Sequence, residues 1–536
     1  MGALDNLVVW LRQYLPLYPS PALDRMRRGP QPAPPEGPNP LMIQFYTWEA
    51  KHPDMSWWKH FETESAALAE LGITQVWLPP PNKAMVPHGQ GYDAYDLWDL
   101  GEFDQKGTTA TRWGSKDELL QAIATAKANG VEVLIDAVLN HKLGADRTET
   151  FQAVPVDPNH RLREIGPSRE IEGWTAFDFA GRNGKYSTLK WTQEHFTGVD
   201  WDHRTKSQGI YRIAGGSHKG WSKWVDKQHD NYDYLLGIDI DHRHPEVRKD
   251  LLAWGSWVLE TTGAMGFRLD AIKHMDRRFL LQFLKQAREV KDRHDLFAVA
   301  EYWSQSLELI KPYIRTFEGL VTFFDVPLHY NFHEASKAGS QYDLRRILDG
   351  SILKFRPGDA VTFVDNHDCC TSFTSTQIGQ TLESWVGDDF KLQAYALILL
   401  RQEGHPCVFY GDLYPNQECY NEKIASGLGS LILARKKVAY GAQTDYFQDK
   451  NCIGFVRQSG CAVLISNAGD VAGSSVHTIR MNVGQGNGGK TYRPLFSQEV
   501  ITETPIEPIT PSADGWGNFT CFPGKSQVWV RTDLMP

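Results

Sequence analysis

The chain has 536 residues, 41% of them hydrophobic, which supplies a large folded core and excludes wholesale disorder. A net charge of −9 argues against a nucleic-acid partner, since phosphate recognition wants a basic face, and suits a neutral or cationic one. No run reaches the ~20 apolar residues of a membrane span, so no membrane partner is expected.

At roughly 100–200 residues per domain the length predicts two to four domains, and three if one is an α/β barrel. Seven cysteines, scattered and odd in number, with no paired metal-ligand spacing, argue against a secreted disulfide framework. The first twenty residues lack a basic leader region and carry Asp5 early, and Asn6 stands where a myristoylation signal wants Ser or Thr after Gly2. A reducing, cytoplasmic location is expected.

In chain order, Leu7, Trp10, Leu11 and Leu15 mark one face of a short amphipathic helix within residues 1–20, and Gly29–Pro40 reads as a stiff Pro-rich linker. Strands are predicted at Met42–Thr47, Thr74–Leu78, Val131–Val138, Gly266–Leu269, Leu296–Glu301, Leu320–Asp325, Val361–Val364 and Cys407–Tyr410. Helical patterns such as Ser65–Leu71 and Lys116–Asn129 separate several of them, as a (β/α)8 barrel requires. Between the third and fourth strands, Lys142 to about His244 is too long for one crossover helix and predicts an inserted domain. After about Tyr440 short alternating strands, including Cys452–Arg457, Ala462–Asn467 and Ser526–Arg531, predict an all-β C-terminal domain.

Four segments carry the chemistry: DAVLNH (Asp136–His141), GFRLDAIKH (Gly266–His274), VAEYW (Val299–Trp303) and FVDNHD (Phe363–Asp368). Each opens on a short apolar run and closes on carboxylates, His, Arg or Asn, as barrel strands do when their C-terminal tips form a site. Together, in this order, they resemble the α-amylase family of retaining glycoside hydrolases, over nearly the whole chain from about Leu41. The resemblance implies a (β/α)8 TIM barrel with a B domain inserted after strand 3 and a C-terminal antiparallel β-sandwich. It divides the chain into an N-terminal extension (1–40), the barrel (41–141 and 244–438), domain B (142–243) and domain C (439–536). The strings GYDAYDLWDLGEFDQKG, DNYDYLLGIDID and FFDVPLHYNFH are similar to the bacterial liquefying type and its intracellular fungal relatives. The leader-free N-terminus tips the reading towards the fungal group.

Breaking a glycosidic bond with retention needs one carboxyl to attack the anomeric carbon and another to protonate the leaving oxygen. Asp270 and Glu301 end neighbouring strands and match the nucleophile and the acid/base, and Asp368 matches the third carboxylate that steadies the distorted sugar. Arg268 lies two residues before Asp270, hence on the same strand face, where it would hold that carboxylate ionised. His141 and His367 match residues that bond sugar hydroxyls, Tyr92 an aromatic platform, and Asp136 a charge network beneath the site. Lys273 and Trp303 are placed on the acceptor side.

The family binds calcium where domain B meets the barrel, and Asn140, Asp233, Asp239 and the backbone carbonyl of His274 match its ligands. Thr188, Ser222 and Arg243 stand at three positions where liquefying relatives hold further metals with aspartates. Asp241 remains, and Arg243 is placed to pair with it, so a single Ca2+ is expected. Cys369 and Cys370 at the site rim read as a redox-sensitive pair or as small buried residues, and Thr371–Gln380 as an acceptor-side loop. The function implied is endo-acting α-1,4-glucan hydrolysis by a monomer. The alternatives are a 4-α-glucanotransferase that remodels cell-wall glucan primers, and a silent glucan-binding protein, which the intact acids disfavour.

Overall fold

The computed structural model describes residues 39–289, 296–369, 384–467, 476–495 and 507–534. The N-terminal helix, most of the Pro-rich linker, Cys370 and the Thr371–Gln380 loop lie outside the described residues.

Eight parallel strands close into a barrel: β1 (Met42–Gln44), β2 (Gln75–Trp77), β3 (Glu132–Ala137), β4 (Gly266–Leu269), β5 (Phe297–Ala300), β6 (Thr322–Phe324), β7 (Ala360–Phe363) and β8 (His405–Phe409). Each pairs with its neighbours in sequence, and β1 closes the ring on β8. The strands are buried along almost their whole length rather than on alternate residues, as parallel strands covered on both faces must be. Most end a residue or two before the predicted limit, because the polar residue closing each motif leaves the ladder to point into the barrel mouth. At the start of β4 a Cβ on Gly266 would stand 1.7 Å from the Phe297 carbonyl oxygen. Only glycine lets β4 lie this close to β5.

One long helix follows each strand. They are α1 (Trp57–Leu71), α2 (Lys116–Ala128), α3 (Pro245–Thr262), α4 (Arg277–Glu289), α5 (Leu307–Phe317), α6 (Val326–Ala338), α7 (Asp388–Leu400) and α8 (Glu422–Val438). The first begins well before the predicted Ser65, since Ser56 caps it by accepting from the Lys59 amide. Ser115 and Glu118 close a capping box on α2.

Between β3 and α3 the chain forms a seven-stranded antiparallel sheet. It runs His141–Lys142, Ile238–Ile240, Phe196–Asp202, Ser207–Ile213, Arg147–Asp157 and His160–Glu164, with Arg169–Ala176 also on Arg147–Asp157. The sheet starts immediately after the DAVLN segment, so its first strand continues from the tip of β3. At the C-terminus a five-stranded antiparallel sheet packs on a two-stranded one formed by His477–Asn482 and Trp516–Cys521. Val456, Leu464 and Trp529 from one face and Met481, Phe519 and Cys521 from the other share a buried core, as two packed sheets do. The structure therefore has the expected barrel, insertion and C-terminal β-sandwich.

Candidate active site

Register brings the carboxylates together. In the β4–β5 ladder Arg268 faces Val299 and Leu269 faces Ala300, so Asp270 and Glu301 are the next pair, side by side on adjacent tips. On the other side Arg268 faces Asp136 of β3. Adjacent strands lie about 4.8 Å apart, which sets the scale of this cluster.

Arg268, 1% exposed, is its hub. Its Nη1 donates to Asp136 at 2.8 and 3.1 Å and to Asp270 Oδ1 at 2.7 Å, and its Nη2 donates to Glu301 Oε2 at 2.8 Å. The guanidinium lies 4.7 Å over the Trp77 ring. Asp136 also accepts from Trp77 Nε1 at 2.8 Å and Tyr92 Oη at 2.7 Å, and Tyr46 Oη lies 2.6 Å from Tyr92 Oη. Burial pushes the Asp270 carboxyl well above the ordinary carboxylate range, Arg268 pulls it back, and the charges of Glu301, Asp136 and Asp368 push it up again. Burial, with the charge of Glu301 next, pushes Asp368 up to about 7. One cation thus contacts three buried acids, Asp136, Asp270 and Glu301, while Asp270 and the partly exposed Asp368 are both held above the ordinary carboxylate range.

The oxygen Oε2 of Glu301 also accepts the Ala271 amide at 3.1 Å. Ala271 adopts left-handed backbone, φ 45°, a strained conformation for a residue with a Cβ. That turn aims its N–H across the strand gap. Nothing in the identity of an alanine announces this.

Three rings lie nearly parallel over the cluster. Tyr92 and His367 have centroids 5.1 Å apart at 9°, and Trp48 lies 5.7 Å from Tyr92 at 4°. Trp48, Tyr46 and Trp77 escaped the sequence reading, because aromatics in an apolar run look like core. A usable signal was Trp48 standing two residues past Tyr46, on the same side of the chain beyond β1. His141 Nε2 lies 2.8 Å from the Tyr92 carbonyl oxygen, so Nε2 carries the proton and Nδ1, buried with no partner among the described residues, is an open acceptor.

Burial pushes His141 down from 6.5 to about 4. The folded state therefore refuses a proton that the unfolded chain accepts, and stability falls as pH drops from about 6.5 to about 4. His141→Gln removes this, so the slope of unfolding free energy against pH flattens by about 1.4 kcal/mol per pH unit in that window. Denaturant melts across the window measure it, and an unchanged slope would mean that folded His141 is protonated normally.

Lys273 and Trp303 also meet, with Lys273 Nζ 3.2 Å from the Trp303 carbonyl oxygen and Trp303 Nε1 3.2 Å from Tyr330 Oη. Asp226 of the insertion ties this side down, its amide donating to the Lys273 carbonyl at 2.9 Å and its carboxylate accepting from Tyr302 Oη.

Asn140, Asp233 and Asp239 gather where the insertion meets the barrel. Asn140 Nδ2 lies 3.4 Å from Asp239 Oδ1, while Asn140 Oδ1 is buried with no partner among the described residues. Burial, with added repulsion from Asp241 and Asp276, lifts Asp233 to about 7, and burial with the charge of Asp233 lifts Asp239 well above its usual range. Two buried, mutually repelling carboxylates and an orphaned amide oxygen fit a hard cation. His274 adjoins through its ring, Nδ1 lying 2.8 Å from the Tyr232 carbonyl oxygen. Arg243 does grip Asp241, at 2.7 and 2.9 Å. Thr197 also stands at this interface, and its hydroxyl donates to Asp239. Cys369 is buried, and burial drives its thiol well above the range of a reactive one, so it is no exposed sensor.

Fold and site together define a barrel glycoside hydrolase. Residues 66–427 match the family model described as alpha amylase, catalytic domain. An "Alpha-amylase" of Geobacillus stearothermophilus is 42% identical over 508 residues, covering 93% of this chain and 88% of the relative. The "Cytoplasmic alpha-amylase" of Escherichia coli strain K12 is 38% identical over 515 residues, 93% of this chain and 100% of the relative. The crystal structure of an α-amylase from Geobacillus thermoleovorans complexed with acarbose superposes with a TM-score of 0.58 at 17% identity, covering 92% of this chain and 97% of that one. The chain belongs to the α-amylase family.

Proposed function

We propose that the protein is a retaining, endo-acting α-1,4-glucan hydrolase, with Asp270 as nucleophile and Glu301 as acid/base. The observation that carries this is Arg268 holding both carboxylates on adjacent nitrogens of one guanidinium. Retention needs carboxyls roughly 5 Å apart, and inversion needs them farther apart with a water between. Asp270 is the attacking group, and the cation on its Oδ1 opposes the effect of burial and favours its ionised form. Both bonds to Glu301 fall on Oε2, which leaves Oε1 to carry the proton for the leaving oxygen. After the first step the same oxygen takes a proton from water, and the water opens the glycosyl–Asp270 ester. Asp368, at the mouth of β7, braces the sugar as positive charge develops at its anomeric carbon. The Tyr92–His367–Trp48 face stacks against the sugar ring, and His141 Nδ1 accepts a sugar hydroxyl. Lys273 and Trp303 flank the acceptor.

Asn140, Asp233, Asp239 and the His274 carbonyl would hold one calcium, which clamps the insertion to the barrel when bound. The Arg243–Asp241 pair supports a count of one, since it places a fixed positive charge where a second cation would sit. Removing calcium with a chelator is expected to lower the melting temperature, by the equivalent of about 2.7 kcal/mol relative to calcium at a hundredfold excess over Kd. Asp239→Asn should abolish that response. Two tightly held calcium ions per chain by equilibrium dialysis would overturn the single site.

The division into extension, barrel, domain B and domain C, action as a monomer, and a cytoplasmic location are parts of the same reading. Free thiols at Cys369, Cys407, Cys419, Cys452, Cys461 and Cys521 support the location, as does the name of the E. coli relative. No helix among the described residues is long and apolar enough to cross a membrane. The affinity to intracellular fungal enzymes rests on the sequence strings and the composition of the first twenty residues, and the relatives reported above are bacterial.

The size-resolved products of one pure malto-oligosaccharide test the activity. Only shorter chains are expected, and none from Glu301→Gln, which should still bind substrate. Products longer than the starting chain would make the enzyme a glucanotransferase.

A further inference from the structure

In the stretch that also carries Asp368, three buried side chains of different chemistry converge. They are His329 from α6, and Asp365 and Cys369 from the segment after β7. Their ligand atoms all lie within 4.8 Å of one another. We propose that His329, Asp365 and Cys369 form a binding site for a thiophilic divalent cation of the zinc class.

The spacing is that of metal ligands. Cys369 Sγ and His329 Nε2 are 3.8 Å apart. A tetrahedral zinc with bonds of about 2.1 Å to nitrogen and 2.3 Å to sulfur holds those two atoms about 3.6 Å apart. The tautomer is also correct. His329 Nδ1 lies 2.6 Å from the Val364 carbonyl oxygen, so Nδ1 carries the proton and Nε2 accepts the Ser384 hydroxyl at 3.0 Å with Cys369 Sγ beside it; a metal would take that lone pair and turn the hydroxyl aside. A backbone carbonyl that fixes the far ring nitrogen in this way is the usual support of a metal-binding histidine. Asp365 accepts the Val386 amide at 3.1 Å and Lys391 Nζ at 3.1 Å, and its oxygens retain lone pairs for a further partner.

Another His-rich cluster, His195, His244 and Glu246, fails the same test. There His195 Nδ1 accepts the Thr192 amide at 2.9 Å, so Nε2 holds the proton and the ring has no lone pair to give.

Charge and access are both met. On binding, the metal forms a bond to Cys369 sulfur, the thiol proton leaves to solvent, and Lys391 stays paired with Asp412. A cavity of about 410 Å³ lined by Asp365, Cys369, Trp385, Lys391 and Glu418 provides the way in. A metal joining Asp365 to Cys369 would pin both ends of the short stretch that carries His367 and Asp368. Occupancy should therefore slow turnover. That effect rests on the catalytic reading of Asp368, whereas the binding site does not.

The test uses the full chain, saturated with calcium and titrated with Co2+. A thiolate-to-cobalt charge-transfer band is expected in the near ultraviolet, saturating at one cobalt per chain and erased by added Zn2+. The band should vanish in Cys369→Ser and persist in Cys419→Ser, with folding checked by melting temperature. His329→Gln, in which the band should weaken at least tenfold in cobalt affinity, keeps the test decisive if the serine variant misfolds. No band in the wild type, or a band unchanged in Cys369→Ser or His329→Gln, would overturn the site. Zn2+ should lower wild-type turnover roughly tenfold or more and leave Cys369→Ser less affected. The cobalt band with undiminished turnover would uphold the site and count against the role given to Asp368.

Discussion

Asp270→Asn should fold as stably as the wild type and lose on the order of 10⁴-fold or more in turnover. The kinetic loss follows from removing the atom that forms the covalent bond, since deleting a nucleophile leaves only the residual acceleration due to binding and electrostatics. The unchanged stability follows from the site's charge balance. Asp270 is buried among Glu301, Asp136 and Asp368, and its carboxyl is pushed up by burial and by them. An amide removes that repulsion and still accepts from Arg268 through its oxygen. Thermal melts and reducing-end assays measure the two halves. Substantial residual turnover in a pure, folded variant would mean that the nucleophile lies elsewhere.

Arg268→Met should lose both activity and stability. The guanidinium bonds Asp136, Asp270 and Glu301 at once, and its removal leaves three buried carboxyls with no cation in contact. Stripping one partner from a buried ionic network costs about 3–5 kcal/mol. The loss should grow with pH. The carboxyls of Asp136, Asp270 and Asp368 have folded-state pKa values raised above their unfolded ones, so the fold binds protons that the unfolded chain releases, and stability falls as pH rises from about 4 to about 7. Losing the cation strengthens that trend. Arg268→Lys should rescue little, because one ammonium cannot reach Asp136 and Glu301 from separate nitrogens. A variant that melts with the wild type would show that the network contributes no net stability.

The barrel was legible because its strands are short apolar runs that end in polar residues, and Gly266–Leu269 was bounded as observed. Asp270, Glu301, Arg268 and Asp136 were legible for the same reason, since one strand register brings their motifs together. What stayed hidden depends on three-dimensional neighbours. Trp48 and Trp77 read as core because aromatic residues serve core and sugar platforms alike. Thr197 stayed hidden because the insertion is polar and aperiodic, so nothing in the pattern marks which of its hydroxyls reaches Asp239. His329 and Cys369 are 40 residues apart in the chain, and only the packing of α6 against β7 makes them neighbours.

The most direct test of the account is the anomeric configuration of the first reducing ends released from a pure malto-oligosaccharide, followed by proton NMR before mutarotation. Two displacements at one carbon, the first by Asp270 and the second by water, predict the α-anomer at the earliest times, with β appearing only as the sugar equilibrates. A β-anomer released first would mean a single displacement by water, and would contradict the covalent role given to Asp270.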